Sequence, residues 1–216
     1  KTGRDGHSTS KSFLAAPAFM RSFIQAPAGC AHIYADFKAE EYGLMAFLAQ
    51  CKGMLAAYEL ARHGKGDVYF EFGKDAGMVP RDAQREDHEN LREVLKTTVL
   101  ATGYGQGPVS LGRRLRTQSD YAGSILSQFE RAYPEWSVFA NRVWVTSQFR
   151  KRMRAPLGWK MWVTPLTDEH LSLKNWPIQA CAAEILKVAV VLAVQRALRV
   201  VGALHDALLV ECRIED

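Results

Sequence analysis

The sequence of 216 residues has only four cysteines, Cys30, Cys51, Cys181 and Cys212, and no two of them form a CxxC pair. That scarcity excludes a zinc knuckle and a disulfide framework, and leaves free thiols in a reducing compartment as the simplest account. The opening KTGRDGHSTSKSF has no apolar signal core. The longest apolar stretch, AVVLAVQ at 189–195, is short and closely flanked by Lys187 and Arg196, so no bilayer span is expected. There is no internal repeat and no low-complexity tract. What is present is a chain with 48% hydrophobic residues, enough for a real core and too many for a disordered segment. Lys and Arg number 28 against 23 Asp and Glu, a net charge of +5 that fits a polyanionic partner. The length allows one large domain or two smaller subdomains.

The pattern along the chain is mixed helix and strand. Residues 1–12 read as loop or strand edge. His32 to Phe37 (HIYADF) reads as a short strand, and Glu41 to Ala61 has helical apolar spacing broken by RHGKGD at 62–67. Residues 67–78 are expected to be helical, stopped by Val79-Pro80. Residues 81–104 form a second, charge-rich helical tract that Gly105, Gly107 and Pro108 end. Residues 109–155 read as largely helical, punctuated by Pro134. PLGWKMWVTPL at 156–166 suggests a hairpin turning at Leu157-Gly158, and Asn175 to Val201 a long buried helix starting near Pro177. The runs VVGALH and ALLVEC then form a β-hairpin pattern with His205-Asp206 at its tip.

Arg92, Lys96, Leu100 and Tyr104 stand four residues apart, with Gly105 immediately after. In a helix, four residues turn about 400° and rise about 6 Å, so these side chains share one face. The face reads cation, cation, apolar, aromatic. Cations suit a triphosphate, and a flat apolar platform suits a base and sugar. Taken alone, the row is equally a solvated helix face with two chance cations. Asp36 closes the apolar strand IYAD, and Asp206 sits in LHDALLV. Carboxylates among hydrophobics at strand ends are costly unless they bind something. Together they suit divalent cations, which take carboxylate oxygens and keep positions open for phosphates. Each alone is equally a turn or helix cap.

In combination and order, these tracts resemble family A DNA polymerases, the DNA polymerase I type. YADFKAEEYGLMAFLAQ with Asp36 is similar to their motif A, REVLKTTVLATGYG at 92–105 to motif B, and LHDALLVE at 204–211 to motif C. NWPIQACAAEILK at 175–187 is similar to the helix before motif C, and KTGR to the family's TGR element. The resemblance spans nearly the whole chain. It implies an α+β right-hand fold: an antiparallel palm sheet with helical fingers and no thumb. The implied segments are palm at 1–48, fingers at 49–155 and a truncated second part of the palm at 156–216. Only about 35 residues precede Asp36 and ten follow Asp206, which suggests a palm-and-fingers piece of a longer protein.

The resemblance also implies roles. Asp36 and Asp206 are the expected ligands of two Mg²⁺ ions and, with Lys96, the expected catalytic groups. Arg92 and Lys96 grip the triphosphate. Tyr104 and Leu100 face the nascent base pair and sugar. Glu41 matches the steric gate, a carboxylate bonded to the tyrosine that fills the space of a ribose 2′-OH. Tyr69 stands where the family often has His near the triphosphate. Its hydroxyl replaces that group, or it belongs to the core. Arg4, Asn175, Gln179 and His205 match positions that contact primer-template DNA. Minor-groove acceptors are alike for every correct pair, so such contacts check shape without reading sequence. Asn175 is equally a helix N-cap, Gln179 a satisfied buried amide, and His205 a turn residue.

Two departures stand out. Ala207 follows Asp206 where the family usually has Glu, and Leu100 replaces the usual Phe or Tyr. The implied function is DNA-templated DNA synthesis in replication or repair, with primer-template and dNTPs as partners. A monomer in a bacterial or phage-infected cytoplasm, or in an organelle, is expected. The alternatives are a single-subunit RNA polymerase, against which Glu41 argues, and a non-catalytic DNA-binding fragment.

Overall fold

The computed structural model of the protein describes residues 2–3, 18–21, 23–165 and 170–215. Two compact units are made, one from residues 1–38, 155–159 and 179–216, the other from residues 39–154 and 160–178. In chain order the elements begin with α1 (Ala18–Arg21), β1 (Cys30–Asp36), α2 (Glu40–Ala49), α3 (Lys52–Arg62), α4 (Val68–Asp75) and α5 (Glu89–Gly103). They continue with α6 (Pro108–Leu115), α7 (Ser119–Ala132), α8 (Pro134–Arg150), β2 (Arg152–Arg154), β3 (Lys160–Trp162), α9 (His170–Gln195), β4 (Arg199–Leu204) and β5 (Ala207–Arg213). The α+β class with antiparallel sheets is therefore what is observed.

The first unit holds a three-stranded antiparallel sheet in the order β1-β5-β4. The expected hairpin is present, with Leu204 paired to Ala207 and only His205-Asp206 between them. So short a turn needs left-handed backbone, which His205 supplies at φ 55°. On the other edge of β5, Asp36 pairs with Ala207, so both aspartates stand at one end of the sheet.

The second unit is helical, with the β2–β3 ribbon attached. Its aromatic core brings Phe72, Phe129 and Tyr133 together at ring-centroid distances of 5.1 to 5.9 Å. Such contacts add about 0.5–1.5 kcal/mol each beyond area burial. One division between the units falls at 38/39, and α2 packs on α3, α5 and α8 of its own unit.

Several expected boundaries shift for physical reasons. The tract 41–61 is two helices, broken where Gln50 turns left-handed at φ 53°. The tract 81–104 becomes regular α-helix only at Glu89, after a 3₁₀ turn over Arg85–His88. The ribbon starts earlier than expected, with strands at 152–154 and 160–162 around the turn. The helix α9 starts at His170, so Pro177 lies inside it and Asn175 is not its N-cap. It ends at Gln195, before the strand residues from Arg199 onward. Residues Leu173–Gln195 are long and apolar enough to cross a membrane by length and composition, a span well beyond 189–195. Leu173, Trp176, Ile178, Ala182 and Leu186 are nonetheless buried in protein. Most of residues 1–12, including Arg4, lies outside the described residues.

Candidate active site

The sequence-expected row is carried by α5, with Arg92, Lys96 and Leu100 on the helix and Tyr104 at its C-cap. The helix is held from two sides by glycines that permit close approach. On α4, a Cβ on Gly73 would stand 2.7 Å from Leu95 Cδ1. Tyr69 lies four residues before Gly73, and Arg92 three before Leu95. The same contact therefore brings the Arg92 guanidinium over the Tyr69 ring, 5.5 Å from its centroid. At the other end, a Cβ on Gly103 would stand 2.9 Å from Met45 Sδ on α2. Glu41 lies one turn before Met45, and Tyr104 follows Gly103. There the Tyr104 hydroxyl donates to Glu41 Oε1 at 3.2 Å. The tyrosine–carboxylate bond expected of a steric gate is thus present.

Arg92 is oriented by Asp67, which no motif pointed to. Asp67 Oδ1 accepts the Tyr69 and Phe70 backbone N–H groups at 3.1 and 3.0 Å, capping α4. Its Oδ2 accepts Arg92 Nε and Nη2 at 3.0 and 2.9 Å. Burial opposes the Arg92 charge, but hydrogen bonding and charge from Asp67 outweigh it, so the pKa lies above its ordinary value. Burial, reinforced by Asp67, pushes the Tyr69 hydroxyl up to about 12, so it is a neutral donor at pH 7. Tyr69 is buried, and its edge meets Tyr42 at 6.1 Å, so the core alternative holds for part of this side chain. Lys96 is half-buried and makes no ion pair or hydrogen bond among the described residues. Leu100 is also half-buried.

In the sheet unit, the Phe37 N–H donates to the Asp206 carbonyl at 3.0 Å, which ties β1 to the hairpin turn. The Asp36 pKa is raised by partial desolvation and then by the negative charge of Asp206, against a lowering hydrogen bond from the Phe37 N–H. Neither aspartate has a cationic partner among the described residues. Two adjacent carboxylates that repel each other fit a divalent cation. No group of three or more His, Cys, Asp or Glu among the described residues is placed to hold a metal. Ala207, in place of the expected Glu, is 0% exposed and pairs with Asp36 across the strands.

The aspartate pair belongs to the first unit and the helical row to the second. Asn175 and Gln179 are both buried on α9, and His205 is exposed at the hairpin tip. Gln179 and His205 both make further interactions.

Two other features were missed. Glu184, buried on α9, accepts the Leu157 and Trp159 N–H groups at 2.8 Å each and so fixes that turn. Only the isolated carboxylate in AAEILK hinted at it. On the ribbon, Arg152, Arg154, Lys160 and Trp162 are all exposed while Met153 is buried. In strands, alternate residues share a face, so three cations and an indole point the same way. The alternation in RMR and KMW is its only signal in sequence.

Comparison with known proteins assigns the family and the fold. The family model described as "DNA polymerase family A" matches residues 15–216. The chain belongs to DNA polymerase family A. Among solved structures it is similar to the POL domain of Pol1 from M. smegmatis in complex with DNA primer-template and dNTP. That match has a TM-score of 0.75 and 24% identity, and covers 90% of this chain and 36% of that one. At that identity the likeness establishes the polymerase-domain fold. The chain spans just over a third of the length of that structure. No curated protein sequence matches the chain.

Proposed function

We propose that the chain carries nucleotide-selecting and catalytic parts of a DNA-templated DNA polymerase acting in replication or repair. The observation that supports this reading is the bond from Tyr104, at the C-cap of the helix that carries Arg92 and Lys96, to Glu41 on α2. The primer 3′-OH attacks the α-phosphorus of a dNTP, a new P–O bond forms, the bond to the β-phosphate bridge breaks, and pyrophosphate leaves. Arg92 and Lys96 bind the triphosphate, and Lys96, which has no competing protein partner among the described residues, neutralises the leaving group. Tyr104 offers its ring to the nascent base pair while its hydroxyl keeps Glu41 where a ribose 2′-OH would lie. Leu100 packs against the sugar.

Asp36 and Asp206 are the residues that would hold Mg²⁺. There the two carboxylates would position ions able to lower the pKa of the attacking hydroxyl and to offset charge on the leaving oxygens. The template and primer are held by Asn175, Gln179, His205 and Arg4, aided by the cationic ribbon with Trp162. Phosphate contacts there give sequence-independent affinity, and the indole gives a stacking platform.

Ala207 favours one second reading, a DNA-binding fragment without catalysis. Primer extension with dNTPs or NTPs separates the readings. Extension by dNTPs supports the polymerase, extension by NTPs an RNA polymerase, and binding without extension the inactive fragment.

A further inference from the structure

We propose that Asp67 is a positioning residue for the incoming triphosphate, and that Glu93 fills the phosphate's place on Arg92 until the nucleotide arrives. This rests on the polymerase reading above. A guanidinium has five N–H donors in a rigid fork. Asp67 takes Nε and Nη2 at 3.0 and 2.9 Å, fixing the plane of the fork. The ring of Tyr69 lies 5.5 Å below it. Both partners of the Asp67 pair are largely shielded, with 13% and 14% side-chain exposure. The Asp67 carboxylate is itself fixed, because its other oxygen caps α4, where the helix end favours negative charge.

Three N–H groups remain, one on Nη2 and two on Nη1, and Glu93 accepts from Nη1 at 2.6 Å. Glu93 is 56% exposed and adjacent in sequence to Arg92. With one partner in solvent, this pair is screened more than the shielded Asp67 pair, and Glu93 yields to a stronger anion. The two carboxylates therefore divide the work by burial. Asp67 stays and orients, and Glu93 leaves. Asp67 is also an electrostatic cost, since its charge lowers the attraction of Arg92 for phosphate. Removing it should loosen geometry more than it weakens binding.

The test is single-nucleotide incorporation of dTTP opposite template adenine by the whole protein, measured by rapid quench. Asp67→Asn keeps a capping oxygen and loses the charge. Its maximal incorporation rate should fall about tenfold while the dTTP concentration giving half-maximal rate changes by less than about threefold. Asp67→Ser, which also caps, should reproduce the loss. In the Arg92→Ala background, Asp67→Asn should change nothing further, the signature of two residues acting as one. Glu93→Gln should lower the half-saturating dTTP concentration by about threefold. A wild-type rate in Asp67→Asn and Asp67→Ser, or the same tenfold loss with and without Arg92, overturns the positioning role alone. A wild-type protein that incorporates no dTTP overturns the polymerase reading and this proposal with it.

Discussion

The Tyr104 hydroxyl and the Glu41 carboxylate meet at 3.2 Å across 63 residues of sequence. The bond ties Glu41 on α2 to the C-terminal end of the helix that carries Arg92 and Lys96. With the sugar of the incoming nucleotide beside this bond, the carboxylate rejects a 2′-OH by steric and electrostatic repulsion. Glu41→Ala should raise the relative kcat/KM for CTP over dCTP by about a hundredfold, equivalent to about 2.7 kcal/mol. An unchanged ratio contradicts the gate.

Gly73 sets how closely α4 approaches α5. A methyl group there would stand 2.7 Å from Leu95 Cδ1, and Leu95 is 0% exposed. Gly73→Ala should destabilise by about 1–3 kcal/mol, less any gain in helix propensity. Adding Leu95→Val should recover part of that loss. Denaturant unfolding of the three variants measures it, and additive losses would refute the contact as the cause.

Asp36 is predicted to lower stability at neutral pH. Its folded-state pKa is raised above the ordinary 3.8, so the folded protein binds the proton more tightly than the unfolded chain. Stability from this group is then lost as pH rises from about 3.8 through the raised value, and is not regained above it. Asp36→Asn should therefore melt slightly higher than wild type at pH 7, while losing primer extension. Millimolar Mg²⁺ should raise the melting temperature of wild type and have less effect on the variant. Equal shifts with Mg²⁺ would argue against Asp36 as a ligand.

Leu100, half-buried on α5, offers no aromatic face to a sugar. Leu100→Phe should change the ratio of dideoxy-NTP to dNTP incorporation, read from chain termination at equal concentrations. Equal ratios in the two proteins would remove Leu100 from sugar discrimination.

Much of this site is legible in sequence because its parts are local patterns. The i, i+4 row from Arg92 to Tyr104 fixes a helix face, and the polar tip of LHDALLVE fixes a two-residue turn. The strand pairing of Asp36 with Ala207 follows once both strands exist. What sequence concealed are partnerships between distant segments. In sequence Asp67 only opens the helical tract 67–78, and nothing in its neighbourhood shows that its second oxygen takes Arg92, 25 residues on. Gly73 and Gly103 look like weak helix positions until Leu95 and Met45 are seen against them. Helix ends were also obscured. Gln50 in a left-handed conformation breaks a hydrophobic period that runs on unbroken, and Pro177 marks a helix interior instead of its start.

The most direct test of the central claim is primer extension by the whole protein with Mg²⁺ and dNTPs, beside Asp36→Ala and Asp206→Ala. Polymerase action through these carboxylates predicts extension by wild type with dNTPs and not NTPs, and loss of at least about a thousandfold in each variant. Extension retained in either variant, or absent from a wild-type protein that still binds primer-template, would contradict it.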